Sequence, residues 1–227
     1  ETFRTVAPPL GTDLIVSNTG KADFSTLQGA LNYVMRTSPS SATITLASGL
    51  YEEMLFLRDC KNVTIKGVNR SASRIAYPNN EGWMNGSGGS TSVVPALGRA
   101  LGKNGGRSVF LVENCDNLRL ENLTIENTFG NEKGQAECIY FNSGSNKHHL
   151  NVENCGFISL QDTFLCKGIC YVHKSLIAGH CDYIWGYPDV CLFEDCEIRS
   201  RAKGYIVQAR VPSKSSKGFI FLNCRLT

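Results

Sequence analysis

Short apolar runs separated by turn residues dominate the chain. ATITL, NVTIKGV, SVFLV, LRLENLTI, CIYF, HLNV, ICYV, VCLF, GYIVQAR and GFIFL are rich in β-branched and aromatic residues and bounded by Gly, Asn, Asp or Ser, the pattern of short strands. One stretch differs. Phe24, Leu27, Leu31 and Val34 recur at helical spacing, with Ser25 and Gln28 placed as a capping box, which predicts a single helix near the start.

The strand runs are not independent. LRDCKNVTI from Leu57, VENCDNLRL from Val112, VENCGFISL from Val152, FEDCEIRS from Phe193 and FLNCRLT from Phe221 repeat one phrase. Aligning the last units puts Cys155, Ser175, Cys196 and Cys224 in one column, spaced 20, 21 and 28 residues apart. Such periods suit a solenoid, in which each coil buries its inward face only by stacking on its neighbours. The expected fold is all-β, a right-handed parallel β-helix over residues 1–227 as one domain, with the N-terminal helix hiding the open strand edge of the first coil. The segment from Ser71 to Arg107, rich in Gly, Asn and Ser, reads as a long loop inserted between coils.

Composition narrows the functional classes. A net charge of +3, from 23 Lys+Arg against 20 Asp+Glu, is too mild for a nucleic-acid surface. No apolar run is long enough to span a bilayer. Ten cysteines in 227 residues lean toward an exported protein, secreted, or periplasmic or cell-surface in a bacterium. Their spacing lacks the paired ligands of a zinc site, so no metal or cofactor is expected. Cys170 and Cys191 each fall five residues before a column position and should stack on neighbouring coils, where a disulfide is conceivable. Sequons begin at Asn62, Asn69, Asn85 and Asn122, with meaning only in a eukaryotic secretory route.

The same alignment places two carboxylates together. Asp162 lies seven residues after Cys155 and Asp182 seven after Ser175, so they hold the same place on successive coils. Parallel strands lie roughly 4.8 Å apart, and two carboxyls that close cannot both ionise cheaply. One becomes a proton donor and the other a nucleophile. The column is expected to continue to Glu137 on the preceding coil and Lys203 on the following one. Gln135 and Gln161 beside it would suit an oxyanion better than a metal, and Tyr183 and Trp185 are adjacent.

At these residues the chain resembles the pectin methylesterase family, carbohydrate esterases with a right-handed parallel β-helix. GLYEE at Gly49–Glu53, QAEC from Gln135, GFISLQDT from Gly156 and DYIWG from Asp182 appear in the family's order. The ADFSTLQGA, ENLTIENT and GFIFLNCRLT segments also look like family text. The resemblance implies hydrolysis of the methyl esters of galacturonosyl units in pectin, a homogalacturonan polysaccharide, by a monomer without a cofactor. It further implies Asp182 as nucleophile, Asp162 as acid and then base, and Gln135 and Gln161 as oxyanion donors. Trp185 would pack on the sugar face, and Ser108 would match a substrate-contacting position.

The departures are informative. The family's LGRPW segment, with the Arg that orients the nucleophilic carboxylate, has no match, so the family's C-terminal coils are expected to be missing; Arg210 of QAR is a candidate substitute and a substrate-binding residue. Cys181 reads as a small apolar filler and not a nucleophile, its only basic neighbour being His180. Lys167, Arg201, Lys203 and Arg210 favour an acidic polysaccharide. The fold also hosts glycosidases and lyases, but the flanking amide pair argues against the first and the small acidic cluster against a calcium-dependent lyase. Two other readings stay open, a carbohydrate-binding β-helix without turnover and an esterase or thioesterase acting on another acyl group.

Overall fold

The computed structural model describes residues 9–81, 93–94, 99–100, 106–130, 134–142 and 147–227. The chain winds as a right-handed parallel β-helix with three strands per coil. One face runs from Gly49–Tyr51 through Ser73–Tyr77, Thr124–Asn127, Gly156–Ile158, Leu176–Gly179 and Glu197–Ser200 to Arg225–Leu226, all parallel. A second stacks Leu55–Arg58, Phe110–Glu113 and Ile139–Asn142 against the first halves of Phe164–His173 and Ile184–Glu194, ending at Val207–Ala209. The third runs from Asp13–Val16 through Ala42–Leu46, Lys61–Gly67, Asp116–Glu121 and His149–Glu153 to the second halves of the same two strands and Gly218–Leu222. These two long strands turn between faces at the register shift after Gly168.

The coils turn at residues with left-handed backbone. Asp59 and Asn114 share one such column, Asn62 and Asn117 another, and Asn122, Asn154, Lys174, Asp195 and Asn223 a third, all with φ between 48° and 55°. Asn and Asp tolerate this region because their short polar side chains bond locally. Here they also bond between coils: Asn114 Nδ2 donates to Asp59 Oδ1 at 2.7 Å, Asn117 to Asn62 at 2.8 Å and Asn154 to Asn122 at 2.8 Å. The repeated phrase therefore marks two different corners. Asp116 pairs with Lys61, so Cys60 and Cys115 stack at one corner, while Cys155, Ser175, Cys196 and Cys224 form the expected column at another. Inside, Phe157, Phe164 and Phe193 meet edge to face at centroid distances of 5.1 and 5.8 Å, and the more exposed Phe221 stacks on Phe193 at 5.0 Å.

The helix Leu27–Thr37 packs Leu27, Ala30, Leu31 and Val34 inward. Its cap is Thr26 and not Ser25: the Thr26 side chain accepts from the Gly29 amide. Gln28, expected to complete the capping box, instead covers the strand edge. Its amide donates to the Phe56 carbonyl at 3.2 Å and accepts from the Phe56 N–H at 2.7 Å. Glu53 of the GLYEE motif takes over the helix end, accepting from the Leu27 and Gln28 amides at 2.9 Å each. The inserted loop also starts later than its composition suggests, because Ser73–Tyr77 is a ladder strand. Within the rest of it, Val93–Val94 and Arg99–Ala100 pair antiparallel; residues 82–92, 95–98 and 101–105 lie outside the described residues.

A carboxylate on two helix N-terminal amides combines charge-assisted hydrogen bonds with the helix dipole. Glu53→Ala is expected to lower unfolding stability by about 1–3 kcal/mol, measured by urea denaturation, whereas a surface neighbour such as Glu52→Ala should change it by less than about 0.5 kcal/mol.

Candidate active site

Successive coils deliver Asp162 and Asp182 at left-handed corners of their own, with φ of 64° and 48°. Gln161 bridges Gln135 on one side and Cys181 on the other, and the Asp162 amide donates to the Cys181 carbonyl at 3.1 Å. Asp162 and Asp182 are therefore in register. The same bridges correct the rest of the column. Ala136, not Glu137, is level with Asp162, and Glu137 is level with Thr163. On the following coil the Ile184↔Val207 pairing puts Tyr205, not Lys203, level with Asp182; Lys203 is exposed. Cys181 is the third member of the glutamine column, and burial together with the Asp182 charge pushes its thiol up, which disfavours a thiolate nucleophile.

The groove is built by the second face. Residues alternate inward and outward along each strand, and two outward columns result. Phe56, Leu111, Tyr140, Leu165, Trp185 and Gln208 are level across the coils, and the first five form an apolar floor. The column two residues on is polar: Arg58 pairs with Glu113, Asn142 donates to Glu113 at 3.3 Å, Lys167 donates to Asn142 at 2.7 Å, and Arg210 donates to the Tyr187 hydroxyl at 3.1 Å. Arg107, Gln135, Tyr140, Lys167, Trp185, Tyr187 and Arg210 line a groove of about 290 Å³. Gly186 allows the close approach behind it: at φ 131° its Cα faces the Cys166 carbonyl, where any Cβ would collide.

Three side chains differ from expectation. Trp185 is only 5% exposed, with the Arg107 and Arg210 guanidinium groups 5.1 and 5.3 Å from its ring centre, so its ring is floor and not an open sugar platform. Ser108 is buried and does not line the groove; its neighbour Arg107 does. Arg210 bonds Tyr187, and Asp182 is held by Gln208, whose Nε2 donates to Asp182 Oδ2 at 3.2 Å. Gln208 was missed by sequence reasoning. The available signal was its place in QAR, two residues before Arg210 and therefore on the same strand face.

Charges set the two aspartates apart. Asp162 is 3% exposed; burial pushes its carboxyl up to about 7, opposed by Arg107 and reinforced by Asp182. Glu137 is fully buried and pushed up to about 8 by that burial, with Arg107 opposing and Asp162 adding. Asp182 is less buried. The site thus presents a buried carboxyl, pushed up by that burial, beside a more exposed one, with two glutamine side chains alongside.

The cysteines are all free thiols. Cys170 and Cys191 are level on adjacent coils, as the spacing predicts, and with Cys166 bring three sulfurs within 4.8 Å of one another. Burial pushes the Cys166 and Cys191 thiols well above their ordinary range, whereas at Cys170 burial is outweighed by hydrogen bonds from those two sulfurs, which bring it down to about 6. Among the described residues no helix is long and apolar enough to cross a membrane.

The pectinesterase family model matches residues 13–227. Pectinesterase 31 of Arabidopsis thaliana is 29% identical over 93% of the chain and 64% of its own length. The probable pectinesterase A of Aspergillus niger is 30% identical over 89% of the chain and 57% of its own length. The chain thus spans less than two thirds of these relatives. In three dimensions it is similar to the pectin methylesterase from Aspergillus niger, with a TM-score of 0.75 and 26% identity, covering 98% of this chain and 68% of that one.

Because the folded state binds the Asp162 and Glu137 protons more tightly than the unfolded chain does, their stabilising effect is complete below the ordinary carboxylate range. It is lost as pH rises through about 7 and about 8. Melting temperature should fall across that window, and Glu137→Gln should flatten the fall; a wild-type slope retained in the variant would show that Glu137 is not its source.

Proposed function

The chain belongs to the pectinesterase family, and from that premise we propose that it cleaves the methyl esters of galacturonosyl units in pectin. The observation that carries the reading is the in-register pair Asp162 and Asp182 beside the Gln135–Gln161 column, at the end of a groove lined by Arg107, Lys167 and Arg210. A groove with that charge suits an acidic polysaccharide better than an apolar acyl chain.

Asp182, held by Gln208, attacks the C6 ester carbonyl. The carbonyl oxygen becomes an oxyanion, and the Gln135 and Gln161 amides donate to it. Collapse breaks the bond to the methoxy group, which takes the Asp162 proton and leaves as methanol. The galacturonosyl acyl group is then joined to Asp182. Asp162, now a carboxylate, takes a proton from water as the water attacks that acyl carbon; the bond to Asp182 breaks, and the sugar carboxylic acid departs and ionises. Both aspartates return to their starting state. The protein would act outside the cytoplasm, secreted, or periplasmic or surface-bound in a bacterium, and as a monomer.

Methanol release from highly methylated pectin tests this. Wild-type protein should release methanol, and Asp162→Asn and Asp182→Asn should each lose at least about 10²-fold in kcat. Since the first step needs protonated Asp162, kcat limited by that step should fall as pH rises through about 7. Pectin binding with no methanol from the wild type would favour a carbohydrate-binding β-helix instead.

A further inference from the structure

Arg107 and Glu137 are buried ionisable side chains for which the aspartate chemistry has no use. Arg107 has a side chain only 5% exposed, yet it reaches four polar partners. Its Nε lies 2.7 Å from Glu137 Oε1, one terminal nitrogen 3.6 Å from Asp162 Oδ2, and the other 3.4 Å from Glu81 Oε2. That last nitrogen also donates to Gln135 Oε1. The guanidinium lies 5.1 and 5.8 Å from the Trp185 and Tyr140 ring centres. Counted back from the Phe110↔Ile139 pairing, Arg107 is level with Ala136, which is level with Asp162. The alanine leaves the space through which the arginine crosses a whole coil.

A glutamine amide can present its oxygen or its nitrogen, and only the nitrogen can serve an oxyanion. Resting on the esterase reading above, we infer that Arg107, clamped by Glu137, is a positioning residue: it grips the Gln135 side-chain oxygen so that the amide N–H groups face the groove, and it stands as a fixed cation beside Asp162. Glu137 has a definite part: with its Oε1 2.7 Å from the guanidinium Nε, it limits the directions the fork can take. A lysine does not replace this fork, because a single ammonium cannot hold Glu137, Gln135 and Asp162 in fixed directions.

The groups facing Asp162 are Arg107 and Glu81 from the preceding segments, Glu137 beyond Gln135, Asp182 and Cys181 on the following coil, and Arg210 on the last. Only the first and third are changed in the test. The carboxyl carbon of Asp162 is titrated by 13C NMR in wild type, Arg107→Gln, Arg107→Lys and Glu137→Gln, and methanol release is measured in parallel. Removing the cation in Arg107→Gln should move the Asp162 midpoint up and lower kcat by roughly 10²-fold, as for loss of one oxyanion donor, with KM within about threefold. Glu137→Gln replaces a carboxyl that keeps its proton up to about 8 and should leave the midpoint near its wild-type value. Arg107→Lys should restore the midpoint toward wild type but leave kcat low. An unmoved midpoint in Arg107→Gln, or full recovery of kcat in Arg107→Lys, would overturn the inference. If the wild type releases no methanol, the esterase reading falls and the titration alone decides the role of Arg107. If Arg107→Gln does not fold, the isosteric Glu137→Gln and the charge-preserving Arg107→Lys carry the comparison.

Discussion

Parallel coils must turn three times per circuit and return to the same height, and the left-handed corner residue is what lets them do so. That constraint governs most of this molecule. It selects Asn and Asp at the corners, and the spacing of adjacent coils stacks them into columns. Where the column is Asn on Asn, the amides bond one another and the corner is closed. Where it is Asp162 on Asp182, the same geometry forces two carboxyls together, and they cannot neutralise each other by hydrogen bonds while both are ionised. The proposed reacting pair is thus a corner column made of the acid in place of the amide.

What separates the two acids is desolvation, moderated by charge. Asp162 is buried and pushed up to about 7 by that burial, whereas Asp182 is less buried and accepts from the neutral amide of Gln208. Arg107 favours the ionised form of Asp162, and burial outweighs it. A buried arginine is costly unless its partners hold it, so its place here points to positioning.

Much of this was legible in the sequence. The short strands, the period near 20 and the twin offsets of Asp162 and Asp182 led to the coil and to the pair, because side-chain alternation and stacking leave a periodic trace. The residues that were not legible act across coils through side-chain length. Arg107 reaches past Ala136, Gln208 reaches back to Asp182, and Glu53 reaches the helix start; none of these follows from local periodicity. Placing Glu137 and Lys203 in the aspartate column failed for a related reason. Coil lengths differ by a residue or more at the corners, so counting along the chain slips where hydrogen-bonded register does not. Trp185 is plainly aromatic in the sequence, but its cover of two guanidinium groups comes from residues 78 positions before it and 25 after it.

The claim that coil register itself delivers the reacting groups is tested most directly by a crystal structure of the Asp162→Asn variant with a methyl-esterified oligogalacturonide. The account predicts an ester carbonyl carbon roughly 3–3.5 Å from an Asp182 carboxylate oxygen, its carbonyl oxygen turned to the Gln135 and Gln161 amides and its methoxy group toward residue 162. An oligosaccharide seated in the groove with its ester turned away from Asp182, or bound on another face of the β-helix, would contradict it.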